Sequence, residues 1–62
     1  MDPTSRLQLE YLSARLLQEQ RALLLAVAST EGLPSNSTLQ RVAQLELNIA
    51  AIENTISETT TG

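Results

Sequence analysis

Residues 31–38 read Glu31-Gly32-Leu33-Pro34-Ser35-Asn36-Ser37-Thr38, the one place where helix-breaking residues cluster between two long segments of helical spacing. Gly32 suits the position just past a helix, because a residue without Cβ takes a left-handed conformation at no steric cost. Leu33 is then expected to fold back on the last turn, near Ala28. Pro34 cannot continue a helix and pushes Leu33 toward an extended conformation. Ser37 offers a cap for a second helix, and Gln40 three residues on completes the spacing of a capping box. A stop followed at once by a start predicts an antiparallel αα-hairpin, since short connections join antiparallel neighbours. The alternative is a flexible linker between two independent helices. Asn36-Ser37-Thr38 also has glycosylation-acceptor spacing, but without a secretion signal it reads as capping chemistry.

Upstream of this turn, the spacing predicts a first helix over about residues 4–30. Asp2 can cap it and Pro3 is preorganised for the first helical position, with Thr4 a competing cap. Leu9, Leu16 and Leu23 recur every seven residues, and with Leu12 and Val27 they form the expected inner seam. Leu17, Leu24 and Ala26 widen the stripe to roughly 160°, and Leu7 and Leu25 lie further round. That is more apolar surface than one neighbouring helix covers, so Leu7, Leu17, Leu24 and Leu25 are candidate partner-facing residues. Gln20 falls near the centre line of the stripe. Either it points out at the rim, or it forms a buried polar layer that sets register and partner choice at some cost in stability.

Downstream, a turn over 31–37 leads into a second helix over about 38–57. Its seam is regular: Val42, Leu45, Ile49, Ile52 and Ile56 alternate steps of three and four, the a and d positions of a short coiled coil. Leu39, Ala43, Leu47, Ala50 and Ala51 lie off that seam, with Leu47 a further partner-facing candidate. Residues 58–62 are polar and threonine-rich, and are expected to fray. Folding the chain at residues 32–37 would place Arg21 near Glu46 and Arg15 near Glu53. Within helix 1, Arg6 with Glu10 and Arg15 with Glu19 have i,i+4 spacing, in the weaker cation-first order.

The chain is 62 residues long with 42% hydrophobic residues, enough for one small helical domain over 1–62 and too many for a disordered chain. A chain of this size needs a disulfide, a metal or another chain to stabilise it. With Cys 0 and His 0, neither a disulfide nor the commonest metal site is available, which leaves oligomerisation. The fold class expected is therefore all-α, an antiparallel two-helix hairpin contributing to a coiled-coil or four-helix-type bundle with other chains.

The same composition narrows function. Without His, Cys or Lys, no base activates Ser or Thr as a nucleophile. The helical glutamates Glu10, Glu19, Glu46, Glu53 and Glu58 read as solubilising charges, and a Glu-x-x-His metal spacing cannot occur. The chain is thus expected to be no enzyme, with no cofactor, metal or small-molecule substrate. A net charge of −3 with four cations (Arg6, Arg15, Arg21 and Arg41) disfavours nucleic acid, whose binding draws on many phosphate contacts. The polar face of helix 1 lacks the lysines and arginines of a membrane-surface helix. No apolar run approaches ~20 residues and no signal pattern opens the chain, so an intracellular protein, cytoplasmic or nuclear and not secreted, is expected. The function these features suggest is a structural or adaptor subunit that assembles with protein helices of a larger complex. The alternative is a self-contained homo-oligomeric bundle acting as a small regulator, including of RNA- or DNA-related processes.

Overall fold

The structure, a computed structural model, describes residues 1–61, with side chains through Glu58. Helix α1 spans Pro3–Ala28 and helix α2 spans Asn36–Thr61. They pack against each other as an antiparallel hairpin, and the described residues contain no strand. The molecule is a rod of 47 × 15 × 14 Å, close to the ~39 Å that a helix of this length spans plus the turn.

Asp2 starts α1 as the sequence suggests. Its backbone is extended, its side chain accepts from the Ser5 N–H at 3.3 Å, and Pro3 takes the first helical position. Hydrogen bonding chiefly from the Ser5 hydroxyl, opposed by desolvation and helped by the Ser5 N–H and Asp2's own N–H, holds the Asp2 carboxyl below its ordinary pKa. The far end of α1 closes differently from the glycine-based stop. The helix ends at Ala28, and Ser29 is its cap in a right-handed conformation. The Ser29 and Thr30 hydroxyls donate to the Ala26 and Val27 carbonyls, each at 2.8 Å. Two of the carbonyls orphaned at a helix end are satisfied by this local chemistry. Gly32 does have positive φ, +87°, but it sits three residues beyond the cap, inside the turn. Leu33 makes no fold-back contact: it is 96% exposed.

Helix α2 also starts earlier than the Ser37 reading. The Ser35 hydroxyl accepts from the Thr38 N–H at 3.2 Å, and the Ser35 carbonyl accepts the first helical bond, from the Leu39 N–H at 3.0 Å. Ser35 is the N-cap, and its hydroxyl also shares hydrogen bonds with those of Thr38 and Ser37. Counted from Ser35, Gln40 lies two residues past the position a capping box requires, so the box does not form. The far end of α2 continues through Thr61 instead of ending near residue 57. The frayed tail expected over 58–62 is helical over 58–61, and Gly62 lies outside the described residues.

Each helix therefore sits about two residues earlier at the turn than the 31–37 turn implied. This slides the interhelical register by roughly one helical turn, which is enough to change the charge partners.

Candidate interaction surface

Between the helices, α2 contributes Thr38, Val42, Leu45, Ile49, Ile52 and Ile56, all buried or half-buried. Leu45 is the deepest, at 1% exposure, and Ile49 is the other buried apolar side chain. From α1 the inward residues are Leu9, Ser13, Leu16, Leu17, Gln20, Leu23 and Val27. Leu12 is not among them. It is 41% exposed, and Ser13 holds the inward position that the seam reading gave to Leu12. The steps 9, 13, 16, 20, 23, 27 alternate four and three, and only Ser13 keeps that alternation. Leu17, expected to face a partner, is half-buried at the edge of the seam.

Gln20 is the one buried polar side chain among the described residues, at 7% exposure. Its Nε2 donates to Glu46 Oε2 at 2.8 Å and, more weakly, to the Val42 carbonyl at 3.5 Å. Among the described residues no buried side-chain polar atom is left without a hydrogen bond. Satisfaction matters here, because an unpaired amide in an apolar seam would cost roughly 1–3 kcal/mol. The rim-pointing reading of Gln20 is thereby set aside. Glu46 is consequently engaged by Gln20 and not by Arg21, the partner that the later turn implied.

An interhelical ion pair joins Arg41 Nη2 to Glu19 Oε1 at 3.1 Å. Arg15 pairs with neither Glu53 nor Glu19. Its guanidinium lies over the Tyr11 ring, 5.9 Å from the centroid. Only the Arg6–Glu10 pair forms as its spacing suggests, at 3.1 Å. Both ion pairs are about half exposed, so each contributes at most ~1 kcal/mol, and Arg41–Glu19, which joins the helices, orients them more than it holds them.

Outside the seam, a large part of the apolar side-chain surface has no protein neighbour. Leu7, Tyr11 and Leu25 are 65–73% exposed on α1. Leu24 on α1 and Leu39 and Leu47 on α2 are also exposed. Tyr11, Ala14, Arg15, Leu17, Gln18 and Arg21 line an open groove along the outer face of α1. Sequence reading singled out Leu7 and Leu25 but missed the residues between them. The signal was available: 7, 11, 14, 18, 21 and 25 also alternate steps of four and three. At ~100° per residue these six positions fall on the side of α1 opposite the seam. No group of three or more acidic side chains among the described residues is placed to hold a metal ion. No helix among them is long and apolar enough to cross a membrane.

No protein-family model matches the chain, and no curated protein or solved structure matches it.

Proposed function

We propose that this chain is a non-enzymatic assembly module, a small helical subunit that lends its hairpin to a larger helical bundle. The observation that carries this reading is the outer face of α1, where Leu7, Tyr11 and Leu25 are mostly exposed, while among the described residues only Leu45 and Ile49 are buried apolar side chains. Two such side chains are a thin core for a chain of this length, and small domains of this kind draw further stability from other chains. An exposed face with a leucine at each end and a tyrosine between them also marks a surface for another helix. A role in binding nucleic acid has less support. Arg6 and Arg41 are committed to Glu10 and Glu19, and Arg15 lies over Tyr11.

The test is solution mass by light scattering and helicity by circular dichroism, both across concentration. A stable helical oligomer supports the reading. So does a weakly helical monomer that becomes helical on co-expression with its native complex. A fully helical monomer at every concentration would overturn it, because the hairpin would then need no partner.

A further inference from the structure

The outer face of α1 carries a leucine at each end, with an aromatic near one end and a cation near the other. In order it presents Leu7, Tyr11, Ala14, Gln18, Arg21 and Leu25, all exposed. Laid antiparallel against a copy of itself, with facing numbers adding to 32, Leu7 meets Leu25, Tyr11 meets Arg21, and Ala14 meets Gln18. We infer that the occupant of this face is a second copy of the chain, paired α1 to α1 in antiparallel order about a two-fold axis near Leu16. The inference rests on the assembly reading above and names its partner.

Three features favour this occupant. First, a two-fold interface must be self-complementary, and this face is: each end offers a leucine to the other end's leucine. Second, the charges complement each other. Glu10 and Arg21 lie on the same flank of the face, and antiparallel packing sets like flanks together. Glu10 of one copy then faces Arg21 of the other, twice per dimer. Arg6 engages Glu10 through Oε1, so this flank already carries an ordered carboxylate. Third, Tyr11 is held by Arg15 over its ring, and the Arg21 of the second copy arrives at the same aromatic, a cation–π arrangement. A parallel pairing has none of this, since it sets Arg21 against Arg21. Ala14, the small residue of the row nearest the axis, permits close approach. The contact runs about 27 Å, from residue 7 to residue 25, at ~1.5 Å per residue.

The absence of native cysteine makes the test direct. Leu7→Cys and Leu25→Cys chains are prepared separately and then mixed in a glutathione redox buffer. The expected result is a disulfide-linked dimer joining one Leu7→Cys chain to one Leu25→Cys chain, with little self-linking of either variant alone. Self-linked Leu7→Cys or Leu25→Cys dimers would indicate parallel pairing and overturn the inference. Light scattering of the full chain is read beside it. The wild type is expected to be a dimer, and Leu25→Asp to raise its dissociation constant by roughly thirtyfold or more, since it replaces the leucine pair at both ends of the contact. A dimer untouched by Leu25→Asp would place the interface elsewhere. A weakly helical monomer would overturn self-pairing yet leave the assembly reading standing, with a different chain as partner. A fully helical monomer would overturn both.

Discussion

The two helices are equal in length, 26 residues each, yet they spend their apolar residues differently. Helix α2 gathers its β-branched aliphatics, Val42, Ile49, Ile52 and Ile56, with Leu45 on a single inward face, and of its larger apolar side chains leaves only Leu39 and Leu47 exposed off it among the described residues. Helix α1 divides its leucines between an inward face and an outward one, and places a serine and a glutamine in the inward row. A hairpin has one seam to cover, so a helix with a second row of exposed apolar residues presents surface to something besides the hairpin. The core thus depends chiefly on α2, while α1 offers the surface on which partner choice turns.

The largest effect expected from this contrast lies at Ile49. Ile49→Asp should abolish the cooperative helical signal in circular dichroism. An Ile→Ala truncation in a core already costs roughly 2–5 kcal/mol, and a carboxylate at this position also loses its hydration without gaining a partner. A single core of this size supplies only about 3–5 kcal/mol, so the change exceeds what the fold has in reserve. The matched change on α1 is Leu12→Asp. With Leu12 41% exposed, its thermal midpoint should move little. If Leu12→Asp unfolds the chain as Ile49→Asp does, Leu12 belongs to the seam and Ser13 does not, and the division between the helices fails.

Next in size, and opposite in sign, is Gln20→Leu. The amide is buried but its main partner, Glu46, is exposed and regains water when released. Replacing a buried amide by a hydrocarbon of similar size removes a desolvation cost, so a gain of about 1 kcal/mol is expected. For a domain this small that is a rise of roughly 4–8 °C in Tm. The same variant should broaden the distribution of oligomers, since the polar layer limits which registers bury it satisfied. A lowered midpoint with an unchanged mass would mean the Gln20–Glu46 bond contributes net stability and does not select register.

What was legible in the sequence follows the same division. The α2 seam stands out because one regular row on one face gives an unambiguous period, and every member of it is inward. The α1 pattern superposes two rows, 9-13-16-20-23-27 and 7-11-14-18-21-25. Read as one, they make a single over-wide stripe and pull Leu12 into the core. Ser13 and Gln20 blur it further, since a polar residue on an inward row looks like a gap. The all-helical hairpin itself was legible from Gly32 and Pro34, which forbid helix across the turn whatever the register. The caps were not. Ser29, Thr30, Ser35 and Ser37 all carry hydroxyls suited to a helix end, and choosing among them takes tertiary packing. That choice moved the register by about one helical turn, and with it the ion pairs: Arg41 met Glu19, and Glu46 met Gln20.

The cap assignment can be tested at a smaller scale. Ser35→Ala should cost about 1 kcal/mol, within the range for losing an N-cap hydroxyl, and lower Tm by roughly 4–8 °C. Ser37→Ala should cost only a few tenths of a kcal/mol, because the Ser37 hydroxyl bonds to Ser35 and to no helix N–H. Equal losses, or a larger loss at Ser37, would return the start of α2 to Ser37. The interhelical register would return with it, and the asymmetry drawn between the two helices would need redrawing.

The smallest expected effect is at the other start, where Asp2 caps α1 in full exposure. Its carboxyl is held below the ordinary pKa by Ser5, so the folded state releases this proton more readily than the unfolded chain. The sign follows from linkage: the cap's contribution is complete above the unfolded pKa and is lost as pH falls through the lower, folded value. The loss is confined to the acid range and to the first turn, because capping and dipole effects decay within one turn. The readout is the Ser5 amide proton by NMR between neutral and acid pH. Its shift should titrate with a midpoint below that of an unstructured aspartate, while amides in the α2 seam stay unmoved. Asp2→Asn should abolish that titration without unravelling the turn, since asparagine caps a helix about as well as aspartate. A titration that spread into the α2 amides would couple the exposed end of α1 to the core, and the separation of the two helices' roles would then be wrong at its mildest test.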